Sequence, residues 1–195
     1  VPCRHARKAD LVTRFRSHGV TLVEVLVVVA IVGVVAVAAI PDLRSGDDGK
    51  LDLAAQEVAQ AIRFARSESI RTGEVHGIQI SENTQRTVVY KADMATSPVG
   101  KASILYHPVA KQPFDFDLDT HPLARGVRIT NSQSPFLYAT GRLKNLLFTA
   151  TGIPYWIVNS TGSTYPLVDG TIELGYGNGS RTVAVAPSTG RVTVQ

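Results

Sequence analysis

The stretch SHGVTLVEVLVVVAIVGVVAVAAIP, residues 17–41, decides how the rest of the chain must be read. From Val20 to Ile40 run 21 residues, nearly all Val, Ala, Leu or Ile, interrupted only by Thr21, Glu24 and Gly33. As a helix rising about 1.5 Å per residue, this run reaches roughly 30 Å, the thickness of a bilayer's hydrocarbon core. It predicts one membrane-spanning helix. A carboxylate four residues into such a span costs on the order of a few kcal/mol at mid-bilayer and less near an end. If the chain were cut after Gly19, the new amine of Val20 would be a cation at the same depth, able to pair with Glu24 of a neighbouring subunit.

Upstream of Val20 the chain is basic. Arg4, Arg7, Lys8, Arg14 and Arg16 against Asp10 give a net +4, which is the whole excess of the sequence; from Val20 onward 15 basic and 15 acidic residues balance. The pI near 9.4 therefore reflects a leader and not a basic surface, which argues against nucleic acid as a general partner. By the positive-inside rule the leader stays cytoplasmic and the C-terminal bulk crosses the membrane. The only cysteine, Cys3, also lies in the leader, so the body holds no internal disulfide and must be stabilised by packing.

Downstream, Pro41 ends or kinks the apolar helix, and Gly46 and Gly49 weaken helix continuation through residues 44–50, where a flexible joint is expected. Helical periodicity returns with Leu51, Ala54, Ala55, Val58, Ile62, Ala65 and Ser69 on one stripe and Asp52, Gln56, Gln60, Arg63 and Arg66 off it, up to a stop at Thr72 and Gly73. After Gly73 come short β-branched runs: 75–80, 87–90, 127–130, 146–149, 171–174, 182–186 and 191–194. Turn residues at 175–179 and 187–190 make the last three an antiparallel meander. The proline-rich stretch 92–126 is too long for an ordinary loop and is expected to contain strands near 103–106 and 114–118.

Catalytic chemistry finds no support. His76, His107 and His121 have no H-E-x-x-H spacing, and no G-x-S-x-G elbow occurs, so no catalytic residue, cofactor or metal is assigned. Asp115, Asp117 and Asp119 would share one strand face and repel unless solvated or bound to a cation such as calcium; a solvated face is the default reading, since Gly126 stands where an EF-hand loop needs glutamate. Gly175, Gly177 and Gly179 lie between two strand patterns, which makes them a hairpin turn and not a phosphate cradle. Tyr155 and Trp156 read as a buried aromatic anchor in preference to an exposed contact patch.

The segment GVTLVEVLVVVAIVGVVAVAAIP, residues 19–41, closely resembles the processing signal of type IV pilins and type II secretion pseudopilins. In addition, LAAQEVAQAIRFARSESIRTGEVHGIQI (53–80), LLFTATGIP (146–154) and RTVAVAPSTGRVTV (181–194) resemble the GspH/FimT group of minor pseudopilins. The resemblance implies cleavage by a prepilin peptidase between Gly19 and Val20, N-methylation of Val20, Glu24 as the subunit-assembly carboxylate, and a helix kink at Pro41. Val20 stands where that family more often carries phenylalanine. Some family members in the DNA-uptake branch bind DNA through a basic C-terminal G-R-x-R motif. Here Gly190 and Arg191 are followed by Val192 and Thr193, so Arg181 and Arg191 are the candidate DNA contacts without the second motif arginine.

The expected fold is α+β and pilin-like, with a long N-terminal helix, transmembrane and then amphipathic, packed on antiparallel β-sheet. Residues 1–19 form the cleaved leader, 20–50 the transmembrane helix and joint, and 51–195 a periplasmic domain with a helix at 51–72 and β-structure over 75–195. The expected role is a non-enzymatic subunit of a type II secretion pseudopilus in the bacterial inner membrane, supporting protein secretion. Its partners would be prepilin peptidase, other pseudopilins or pilins, the membrane and secreted proteins. The alternatives are a minor type IV pilin in pilus assembly or in DNA uptake with nucleic acid bound, and an exported β-protein freed at Ala38 by an ordinary signal peptidase.

Overall fold

The computed structural model describes residues 22–38, 45–158 and 161–195, and side-chain environments over 22–32, 48–158 and 161–195. The chain divides into two units, Val1–Leu43 and Arg44–Gln195, each described by itself. In the first, helix α1 spans Leu22–Ala38. Its 17 residues rise about 26 Å at the standard 1.5 Å each. Among the described residues no helix is long and apolar enough to cross a membrane. Val20, Thr21, Ala39 and Ile40, which complete the apolar run, lie outside the described residues, as do Gly19 and Pro41.

The second unit is built on helix α2, Ser45–Thr72. The expected joint over 44–50 is corrected here: the helix runs through Gly46 and Gly49 and starts at Ser45. Each glycine costs about 1 kcal/mol relative to alanine. That cost is offset by tertiary anchors at the same end. Lys50 Nζ donates to Tyr176 Oη at 3.0 Å and lies over its ring, Leu51 is buried, and Asp52 pairs with Arg181. The stop falls where the sequence placed it. Gly73 adopts φ +72°, a left-handed conformation that only glycine reaches without strain, and its N–H caps Ser69 O at 3.0 Å.

Among the described residues thirteen strands follow: β1 His76–Ser81, β2 Arg86–Asp93, β3 Gly100–Ile104, β4 Asp115–Asp117, β5 Arg128–Ile129, β6 Phe136–Tyr138, β7 Gly141–Leu143, β8 Asn145–Phe148, β9 Pro154–Val158, β10 Ser163–Pro166, β11 Asp169–Tyr176, β12 Gly179–Val185 and β13 Val192–Val194. They form two antiparallel sheets. The first runs β10-β9-β8-β1-β2-β3, with β4 also on β2; the second runs β13-β12-β11-β6-β7, with β5 also on β11. The β11–β12–β13 meander is as expected, and Tyr176 pairs with Gly179 across the glycine-rich turn.

The expected strand at 103–106 lies instead at Gly100–Ile104, because Tyr106 bridges back to Pro113 and leaves the ladder. The hairpin β6–β7 and the edge pair β9–β10 were not anticipated from the sequence.

Both sheets pack on the stripe of α2. Ala54, Ala55, Ala59, Ala61 and Ala65 are fully buried there, and side chains this small let the helix backbone approach the strands closely. Tyr90, Phe136, Tyr138 and Phe148 fill the remaining volume, and burial pushes the Tyr90 and Tyr138 hydroxyls well above the usual phenol range. Trp156 is 7% exposed, which places it in the core as the aromatic anchor.

Candidate assembly surfaces

Two places concentrate the features that the sequence singled out. The first is α1. Glu24 lies in its first turn, where the positive end of the helix dipole favours a carboxylate. Around it, every large apolar side chain from Leu22 to Val32 is exposed, reaching 80% at Leu22. Since successive helical residues point about 100° apart, the apolar surface goes right round the helix. A helix apolar on all sides is stable only when lipid or other protein covers it. Gly19 and Val20, the expected cleavage pair, and Pro41, the expected kink, lie outside the described residues.

The second place is the C-terminal meander against α2. Arg181, on β12, is engaged: its Nε donates to Asp52 Oδ1 at 2.6 Å and its Nη1 to Ser180 O at 3.0 Å. That pair fastens β12 to the start of α2. Arg191 lies in the turn between β12 and β13, which Gly190 shapes. Gly190 has φ +65°, and a Cβ there would stand 2.6 Å from Gly152 O, so no side chain fits. The tight turn brings Arg191 beside Arg63 and Arg66 of α2, around a depression of about 490 Å³. Arg63 and Arg66 were read from the sequence only as the polar side of the helix; their i,i+3 spacing was the one signal that they share a face.

The aspartates at 115, 117 and 119 are held by the chain itself. Asp115 makes a bidentate pair with Arg86, with Nε to Oδ1 at 2.6 Å and the second bond from Nη2 to Oδ2. Asp119 lies 3.7 Å from Arg128, and Asp117 Oδ1 accepts from the Asp119 N–H at 2.8 Å. Among the described residues no group of three His, Cys, Asp or Glu is placed to hold a metal ion. The histidines are likewise dispersed. His76 is buried with its backbone N–H on Ser69 Oγ, while His107 and His121 cap local turns through Nδ1.

Residues 14–40 match the model of the prokaryotic N-terminal methylation motif, and residues 54–189 match that of the type II transport protein GspH. A type II secretion system protein H of Xanthomonas campestris pv. campestris is 31% identical over 87 residues, 44% of this chain and 52% of that protein. The chain thus spans about half the length of the curated relative it matches. Among solved structures, the minor pseudopilin EpsH from the type 2 secretion system of Vibrio cholerae aligns at TM-score 0.49 and 13% identity, over 75% of this chain and 96% of that one. The type IV minor pilin FimU of Pseudomonas aeruginosa aligns at TM-score 0.43 and 16% identity, over 80% and 92%.

Proposed function

Because the chain belongs to the type II transport protein GspH family, we propose that it serves as a minor pseudopilin, a structural subunit of a secretion pseudopilus in the bacterial inner membrane. The observation that carries this reading is α1: a helix apolar on every side, with one carboxylate in its first turn, inside a methylation motif that spans residues 14–40. Such a helix is soluble only in lipid or among its own kind. In this reading, prepilin peptidase cuts after Gly19 and methylates Val20. The mature helix then holds the subunit in the membrane, with the domain from Arg44 onward in the periplasm.

Incorporation follows from the same residues. In the membrane, the Val20 amine of one subunit meets Glu24 of its neighbour, two charges brought together where the dielectric is low and their attraction is strong. Apolar helices pack around the pair, and the domain is carried outward with the growing filament. The chain's role is therefore structural, and its direct partners are the peptidase and other pseudopilins.

The test is mass spectrometry of the mature N-terminus in cells with and without the prepilin peptidase. A methylated Val20 that depends on the peptidase is expected. An N-terminus at Ala39, left by an ordinary signal peptidase after Ala36, Val37 and Ala38, would overturn the reading.

A further inference from the structure

The depression beside the β12–β13 turn is lined by Arg63, Arg66, Thr189, Gly190, Arg191 and Val192. Its three titratable residues are all arginine, and no carboxylate lines it. Arg63 Nη2 donates to Val192 O, and Arg66 Nε donates to both Gly152 O and Thr189 O, each at 3.1 Å. Those bonds fix the two guanidinium groups against the turn while occupying only one nitrogen of each. Among the described residues, none of the three arginines takes part in an ion pair, and the Arg191 side chain makes no hydrogen bond.

On the first sheet, Arg86, Lys101 and Lys144 also surround a hollow, but Arg86 is matched by Asp115 and Lys144 lies 4.0 Å from Glu82. Two of the three cations there are thus matched by carboxylates, and Lys101 donates to Gln79. The chain leaves those of the α2 depression uncompensated while spending backbone bonds to hold two of them in place.

We propose that this depression is a docking site for a carboxylate side chain on an acidic segment of a partner protein. Fixed guanidinium forks favour planar, bidentate oxygen acceptors. Two observations favour a carboxylate over a nucleic-acid backbone. Binding a phosphodiester chain takes a row of cations along its path, whereas the next arginine on this meander, Arg181, is already occupied by Asp52. The sequence beyond Val20 also balances 15 basic against 15 acidic residues, so no wider positive field draws a polyanion in. The site rests on the filament-subunit reading only for the kind of partner; its geometry is independent of N-terminal processing.

The test uses the full chain in detergent micelles and a fluorescein-labelled poly-glutamate peptide, followed by anisotropy at low salt, with poly-glutamine and a DNA duplex as comparison probes. The chain is expected to bind poly-glutamate and not poly-glutamine. Arg191→Gln removes one charge-assisted contact and should weaken binding about tenfold. Arg191→Glu should abolish it, and Arg63→Lys, which keeps the charge but loses the planar fork, should weaken it. Arg125→Glu, the same charge change at an exposed residue outside the depression, should leave it unchanged. An unaltered Trp156 emission spectrum verifies that each variant is folded.

Full binding by Arg191→Glu would overturn the proposal, as would equal losses in Arg191→Glu and Arg125→Glu. A duplex held more tightly than the peptide and released by Arg191→Gln would replace it with a nucleic-acid site. None of these outcomes bears on whether Val20 is methylated, so the two readings fail separately.

Discussion

The side chain of Gln85 acts as a strand partner for Ile129: its Nε2 donates to the Ile129 carbonyl at 3.2 Å, and its Oε1 accepts from the Ile129 N–H. Gln85 sits in the β1–β2 turn of the first sheet and Ile129 in β5 of the second, so one amide ties the two sheets together. Gln85 is 3% exposed and holds φ +53°, a left-handed conformation that the two bonds help to stabilise. Replacing it by leucine strands a buried N–H and a buried C=O. Each such group costs about 1–3 kcal/mol, so a loss of about 2–4 kcal/mol is expected. Urea unfolding followed by the single tryptophan, Trp156, reads it directly. A midpoint equal to the parent's would show that water replaces the amide without cost.

The Asp52–Arg181 pair should contribute far less. Its side chains are 57% and 30% exposed, and ion pairs of that kind are worth about 0.2–1 kcal/mol after solvent screening. A double-mutant cycle with Asp52→Asn and Arg181→Gln is expected to give a coupling within that range, shrinking as salt is raised. A coupling several times larger would mean that the pair is buried during the motions that matter for stability.

Under the proposed processing, Glu24→Ala is expected to leave cleavage after Gly19 intact, because the substituted residue lies four positions beyond Val20. Incorporation into filaments should fall by at least about tenfold, since breaking an ion pair in a low-dielectric setting costs a few kcal/mol. Quantitative blotting of sheared filament fractions checks both halves. Normal incorporation would remove the charge-pairing step.

Acid should erode the body in part through Glu68. Hydrogen bonds from Arg71, at 3.1 and 2.6 Å, hold its carboxyl below the ordinary carboxylate range. A folded value lower than the unfolded one means that the stabilisation is present above about pH 4.5 and is lost as pH falls through the folded value. The urea midpoint should therefore decline below about pH 5, and the decline should be shallower in Glu68→Gln.

The stripe from Leu51 to Ser69 and the stop at Gly73 were legible because a 3.6-residue period and a left-handed glycine are local signals. The meander was legible for the same reason: β-branched alternation is broken by turn residues at 175–179 and 187–190. The helical start at Ser45 was not. It depends on Lys50 meeting Tyr176 and Asp52 meeting Arg181, contacts made with residues more than a hundred positions away. The β6–β7 hairpin was missed because its strands are three residues each, too short to display a period. At the candidate sites, Glu24 stood out as a charge in an apolar run. Arg63 and Arg66 did not, since a helical arginine ordinarily faces solvent and only the folded turn at Gly190 turns these two toward a third.

Because both sheets lean on the one helix α2, a force that reaches that helix is handed to both of them together, and neither sheet bears it alone.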